Sequence, residues 1–127
     1  MKIKQEVLNK LVNNSITTKQ NKYHNKKVEY DGHTFDSVKE KAYYIKLKLM
    51  EKADEIFDLE LQKEFVLIET FKLNDKTYRK MSYKADFTYL DRDGKYHVID
   101  VKGVKTDVYK LKKKLMAWKY GIEIEEV

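Results

Sequence analysis

The sequence predicts an α/β fold: a mixed central sheet flanked by helices, in the order α-β-β-β-α-β, behind an N-terminal helical extension. Three observations carry this expectation. Segments 37–53 and 106–120 repeat apolar residues at spacings of three and four and open on capping residues. Between them lie strand-like runs, the last two joined by Asp91-Arg92-Asp93-Gly94, the clearest hairpin turn in the chain. After the second helical segment, Ile122 and Ile124 alternate with Glu123 and Glu125 as a closing strand.

Composition bounds the class. A chain of 127 residues, 42% hydrophobic and 38% charged, is expected to be a soluble globular protein of one domain. Residues 1–21 read as an extension or arm and 22–127 as the main domain. There is no cysteine, which excludes a disulfide scaffold, a thiol nucleophile and a cysteine zinc site. No apolar run has the length of a membrane span and Met1-Lys2-Ile3-Lys4-Gln5-Glu6 holds no signal-peptide core, so a cytoplasmic location and no membrane partner are expected. The net charge of +6 is a lysine charge, because Arg79 and Arg92 are the only arginines. A basic balance points to a polyanion, most often nucleic acid. Lysine enrichment from an AT-rich genome, which the many Asn, Ile and Tyr also fit, is the competing reading.

In order along the chain, Ile3, Val7, Leu8, Leu11 and Val12 are spaced for one face of a helix over 3–13, ended by Asn13-Asn14-Ser15. Thr17 to Lys27 is polar and aperiodic, and its Lys19, Lys22, Lys26 and Lys27 either sit in solvent or touch phosphate. Lys27-Val28-Glu29-Tyr30 and His33-Thr34-Phe35 flank Asp31-Gly32 as a small hairpin. Ser37 with Glu40 three residues later forms a capping-box signature, with Asp36 a competing cap. The helix to about Ala53 carries one stripe of Val38, Ala42, Ile45, Leu49 and Ala53 and a second of Tyr43, Tyr44, Leu47 and Met50, so it is expected to be covered on two faces.

Ile56–Leu61 and Phe65–Leu73 read as strands joined at Gln62-Lys63-Glu64, with a turn at Asn74-Asp75-Lys76 and a further strand from Thr77 to Leu90. Lys95 to Lys102 returns antiparallel and Gly103 breaks it. Thr106 or Asp107 then caps a helix to Tyr120 whose predicted stripe is Val108, Leu111, Leu115 and Trp118, with Gly121 as terminator.

The candidate chemistry sits on the Tyr96–Gly103 strand. Asp100 and Lys102 share one face, and Ile99 and Val101 share the other. If Arg92-Asp93-Gly94 is a three-residue loop, Asp91 faces Lys95 and Asp86 faces Asp100, with Cβ atoms about 5 Å apart. Ala85, Phe87 and Tyr89 then share a core face with His97, Ile99 and Val101, and the acids point away from the core. A two-residue loop spoils both patterns.

Two carboxylates that close repel unless one raises its pKa or a cation intervenes. Mg²⁺ is held by one or two carboxylates and keeps several waters. Lys102 beside the pair would orient a water or stabilise charge at phosphorus. The competing reading makes Asp100 and Lys102 solvent-facing residues of an ordinary sheet. Glu40 is fully explained by capping, yet the first turn of a helix is also where a metal site at a sheet edge would reach. Gln62 is a candidate to orient water or ligand beside the site. Thr106 caps its helix or binds a phosphate there. Lys105, Tyr109, Lys110, Lys112, Lys113 and Lys114 form either a solvated face or a contact to a DNA backbone. His24, His33 and His97 are not spaced as a metal trio, and His97 is expected to pack on the sheet.

Taken together, Lys22-Tyr23-His24-Asn25-Lys26-Lys27, Phe35-Asp36-Ser37-Val38-Lys39-Glu40, Leu59-Glu60-Leu61-Gln62, Tyr83-Lys84-Ala85-Asp86-Phe87, Val98-Ile99-Asp100-Val101-Lys102-Gly103 and Thr106 through Lys113 resemble the PD-(D/E)XK nuclease superfamily. The order and spacing of these motifs look more closely like a phage-associated family of uncharacterised small proteins similar to Holliday-junction-resolvase-like endonucleases. The resemblance covers about residues 22–120. It implies a restriction-endonuclease-like core, with Glu40, Asp86 and Asp100 in the metal shell and Lys102 as the catalytic lysine. It also implies Mg²⁺ (or Mn²⁺) as cofactor and DNA, branched or junction-structured, as partner, in phage recombination, replication or packaging within the bacterial host cytoplasm. Thr106, Tyr109, Lys110, Lys113 and Lys105 would be the DNA contacts, and a homodimer would pair two sites to cut two strands. Ala85 stands where the pattern has a proline, and Asp100 is the less usual acid at its position. A catalytically silent relative that binds DNA or a partner protein is the alternative.

Overall fold

The computed structural model describes residues 27–127. The predicted helix over 3–13, the extension 1–21 and the arm lysines before Lys27 lie outside the described residues. The chain divides into two compact units, the first ending at Phe57 and the second running Asp58–Val127.

In the first unit, β1 (Val28–Tyr30) and β2 (His33–Phe35) form the predicted hairpin, pairing Val28 with Phe35 and Tyr30 with His33. Asp31 and Gly32 both take positive φ, 53° and 75°, as a two-residue turn of this twist requires. Helix α1 (Val38–Lys52) follows from Ser37, whose hydroxyl accepts from the Glu40 amide at 3.1 Å. The Glu40 carboxylate reciprocates by accepting from the Asp36 amide at 3.2 Å. The Ser37 bond satisfies one orphaned donor of the first turn, and the Glu40 carboxylate reaches one residue past the cap instead of to the Ser37 amide of a standard capping box. Ile45 from one predicted stripe and Tyr44 and Leu47 from the other are all buried, as a helix covered on two faces requires. Tyr44 packs its ring 5.1 Å from Phe35 and 5.4 Å from His33, and its hydroxyl donates to Asp31.

The second unit is built on a mixed four-stranded sheet in the order β3-β6-β7-β8. Its strands are β3 (Ile56–Ile68), β6 (Met81–Asp91), β7 (Tyr96–Asp100) and β8 (Glu125–Glu126). β6 and β7 run antiparallel, while β8 lies parallel to β7 with Ile99 opposite Glu125. The expected pair of strands meeting at Gln62 is one long strand, because the chain absorbs Asp58 and Gln62 as left-handed residues (φ 55° each) inside β3 without ending it. The expected single strands Phe65–Leu73 and Thr77–Leu90 each break instead. Their inner portions, β4 (Phe71–Leu73) and β5 (Lys76–Tyr78), pair with each other as a separate ribbon around Asn74 and Asp75, both at positive φ.

The Asp91–Lys95 turn is the three-residue loop. Asp91 donates its amide to the Lys95 carbonyl at 2.9 Å, Gly94 takes φ 80°, and the Asp91 carboxylate accepts from the amides of Asp93 and Lys95. This turn sets the register Phe87↔Ile99, Thr88↔Val98 and Tyr89↔His97.

Helix α2 (Asp107–Tyr120) starts at Thr106, whose hydroxyl accepts from the Tyr109 amide, and stops at left-handed Gly121. Of the predicted stripe only Leu115 packs inward, and the buried face is centred elsewhere. Tyr109 and Met116 are buried in one cluster with Phe65, Leu67, Tyr83, Ala85, Val98 and Ile124, and Leu115 packs beside it. Val108 and Leu111 are exposed, and Trp118 is 78% exposed. Tyr109 and Met116 lie seven residues apart on one face, and Tyr109 brings a large ring whose hydroxyl finds an internal partner. At the other end Lys119 and Tyr120 donate to the Val66 carbonyl, tying the helix across β3. Among the described residues no helix is long and apolar enough to cross a membrane.

Candidate active site

The cluster on the α2 side corrects the expected alternation of β6. An unbroken strand puts Tyr83, Ala85, Phe87 and Tyr89 on one face, opposite to Thr88, Val98 and Asp100. Yet Tyr83 and Ala85 are buried in the cluster that contains Val98, and Tyr83 donates its hydroxyl to Asp100 Oδ2 at 2.6 Å. Phe87, paired with Ile99, is buried outside that cluster. The strand therefore changes face between Ala85 and Phe87, and Asp86 sits at the irregularity. Local breaks of this kind re-aim a side chain.

The acids are consequently not on a face turned away from the core. Asp100 is 4% exposed, on the cluster side, held by the Tyr83 hydroxyl at Oδ2 and by the Lys102 ammonium at Oδ1, 3.0 Å away. Asp86 lies just past the last β6–β7 pair, where its Oδ2 accepts from the Val101 amide at 2.7 Å. Its Oδ1 is 3.4 Å from the Gln62 side-chain nitrogen. Gln62 reaches it from the left-handed position inside β3, a conformation that costs a non-glycine residue free energy and clusters at functional sites. Burial pushes the Asp86 pKa up to about 6, the Val101 amide opposes this, and the Asp100 charge adds to the rise.

Lys102 is held from two sides. Besides Asp100, its Nζ stands 3.9 Å from the centre of the Tyr109 ring. Tyr109 is in turn fixed by its hydroxyl, which donates to Glu126 Oε2 at 2.7 Å. Burial and that carboxylate raise the Tyr109 pKa, while the Tyr109 hydroxyl, then Lys105 and Lys113, hold the Glu126 carboxyl down to about 2. Lys105 and Lys113 pair with Glu126 Oε1 at 3.1 and 3.2 Å.

These contacts decide where the predicted residues fall. Asp86, Asp100, Lys102 and Gln62 come together. Tyr109 is buried beneath Lys102 and is therefore not a surface contact. Thr106 caps α2, Lys105 and Lys113 are engaged with Glu126, and Lys110 is exposed. Glu40 belongs to the first unit, where it is buried beside the cap of α1. Tyr83 and Glu126 escaped the sequence reading. Tyr83 carried one usable signal, a tyrosine three residues before the first acid. Glu126 carried none, because its role depends on β8 lying parallel to β7.

The donor set fits a hard divalent ion: two carboxylates, one with raised proton affinity, with acceptor lone pairs to spare. Among the described residues no group of three His, Cys, Asp or Glu side chains gathers closely enough to hold a metal alone, so waters would complete the shell.

Neither the curated proteins nor the solved structures yield a match to this chain. One family model matches residues 20–125, the one described as "Protein of unknown function (DUF1064)". That match spans both carboxylates, Lys102 and nearly the whole described chain, and the protein belongs to this family.

Proposed function

We propose that this protein is a Mg²⁺-dependent DNA endonuclease of PD-(D/E)XK type with a restriction-endonuclease-like core, hydrolysing phosphodiester bonds in branched or junction DNA. The carrying observation is the Asp86, Asp100 and Lys102 cluster, with Lys102 paired to Asp100 Oδ1 at 3.0 Å. The net charge of +6 supports a polyanionic substrate.

Asp86 and Asp100 would hold the ion, which when bound supplies Lewis acidity and neutralises charge at the phosphodiester. Lys102, kept in place by Asp100 and the Tyr109 ring, presents an ammonium where negative charge develops on phosphorus oxygens. The Tyr83 hydroxyl fixes the orientation of the Asp100 carboxylate, and Gln62 orients Asp86 from the neighbouring strand. Two copies of the chain would cut two strands together.

Cleavage of branched and linear DNA with Mg²⁺ or Mn²⁺ tests this directly. Wild type is expected to cut, and Asp100→Ala and Lys102→Ala to lose at least about a hundredfold in rate. Absence of metal-dependent cutting, or equal cutting by Asp100→Ala, overturns the reading. A silent DNA- or protein-binding relative is the second reading. It is favoured by the fact that every oxygen of Asp86 and Asp100 already has a partner within the chain.

A further inference from the structure

The β4–β5 ribbon is the part of the second unit that folding covers least, since all six of its strand residues are exposed. Its register, Phe71↔Tyr78 and Leu73↔Lys76, puts Phe71, Leu73, Lys76 and Tyr78 on one face and Lys72 and Thr77 on the other. The Phe71 and Tyr78 rings stack with centroids 4.8 Å apart and planes 9° from parallel, yet remain 47% and 38% exposed. A two-stranded ribbon is marginal alone, and an apolar face left in water marks a binding surface. The ribbon is nevertheless well defined: Asn74 and Asp75 supply the left-handed turn, and the Lys80 amide donates to Thr70 Oγ1 at 3.0 Å across its base.

Charge selects the occupant. Lys76 shares the ring face, its Nζ 5.2 Å from the Tyr78 ring centre, with Lys72 on the opposite face and Arg79 at the base. Asp75, in the turn, is the sole acid between Thr70 and Lys80. Exposed rings among cations suit unpaired nucleotides, whose bases stack on the rings while lysines follow the phosphates. An intact duplex offers no free base faces, and an apolar protein surface gains nothing from the cations. The ribbon also springs from β3 and β6, the strands that carry Gln62 and Asp86. Its base at Lys80 is about 20 Å along β6 from Asp86, at roughly 3.3 Å per residue.

We propose that the β4–β5 ribbon is a stacking site for unpaired nucleotides. This rests on the reading of the chain as a DNA enzyme, and it narrows the substrate to DNA with a single-stranded segment at a gap, flap or junction.

Binding measured in EDTA separates this site from cutting. Fluorescence anisotropy would compare oligothymidine, a blunt duplex and the same duplex with a single-stranded flap. Wild type is expected to bind the first and third more tightly than the second. Phe71→Ala combined with Tyr78→Ala should weaken both by roughly tenfold or more, with duplex binding unchanged. Equal binding of all three probes by wild type, an unchanged double variant, or equal loss on the duplex overturns the proposal. So does a double variant that turns a dimer into a monomer, which assigns the face to a second copy.

A variant that keeps a ring, Phe71→Trp with Trp118→Phe, should show fluorescence quenched by oligothymidine, and no quenching also overturns the proposal. If wild type binds flapped DNA through the ribbon but never cuts with Mg²⁺, the nuclease reading falls and the stacking site stands. If it cuts while the double alanine variant binds flapped DNA normally, the stacking site alone falls.

Discussion

Asp86 accepts a hydrogen bond from the amide of Val101 at 2.7 Å, one residue beyond the last pair of the β6–β7 ladder, Phe87 with Ile99. The carboxylate thus takes over the place of a strand carbonyl where the two strands part. Holding a charge there is costly, which is why burial raises its pKa to about 6.

The cost predicts a pH-dependent stability. With the folded pKa above the unfolded value, metal-free protein binds the proton more tightly when folded, so this group's contribution falls as pH rises from about 4 to about 6. Asp86→Asn removes the charge while keeping an acceptor for Val101. In EDTA it is expected to melt several degrees higher than wild type at pH 7, with the advantage gone at pH 4. Equal shifts at both pH values, followed by circular dichroism, contradict this.

Tyr109 is expected to act by positioning Lys102. Tyr109→Phe keeps the ring under the ammonium and removes only the hydroxyl that bonds Glu126, so single-turnover cleavage should stay within about threefold of wild type. Tyr109→Leu removes the ring face and is expected to slow cleavage roughly tenfold, the scale of a partly desolvated cation–π contact. DNA binding in EDTA should be retained by both variants, which distinguishes misplacement of Lys102 from loss of the fold.

His97 lies between two carboxylates, Nε2 at 2.8 Å from Asp91 and Nδ1 at 2.6 Å from Glu125, with its ring stacked on Tyr89. Burial lowers its pKa, but the two acids outweigh burial and leave it raised. A raised folded pKa stabilises the protein fully below the unfolded value, near 6.5, and the gain disappears as pH rises through the folded value. His97→Gln should therefore cost more stability at pH 5.5 than at pH 9. Urea titrations at the two pH values check the difference, and an equal loss contradicts a charged clamp.

Thr88 is fully buried opposite Val98, and among the described residues its hydroxyl oxygen finds no hydrogen-bond partner. A buried unsatisfied hydroxyl costs about 1–3 kcal/mol. Thr88→Val keeps the β-branched shape and is expected to stabilise the protein by about 1 kcal/mol in chemical denaturation. Destabilisation would mean that the hydroxyl has a partner, such as a buried water.

Local chemistry was legible wherever neighbours along the chain decide the outcome. The Ser37 cap with Glu40, the Asp31-Gly32 turn, the Asp91–Lys95 loop, the Thr106 cap and the Gly121 stop all depend on residues within a few positions of each other. The loop length then carried the register of β6 and β7, which brought Asp86 towards Asp100.

What the pattern misread depended on distant partners. Val108, Leu111 and Trp118 have as good a helical spacing as Tyr109 and Met116, and which face is buried was settled by the sheet surface against α2.

The sequence by itself thus determined the two helices, the β1–β2 hairpin and the register of β6 and β7 that brings Asp86 towards Asp100 and Lys102. Only the tertiary structure decided that β6 changes face at Asp86, that Asp100 is buried against Tyr83, and that Tyr109 and Glu126 support Lys102. The reason is physical. Caps, turns and registers are set by short-range hydrogen bonding and steric limits. The choice of buried face and the proton affinity of a carboxylate are set by whatever else folds around them.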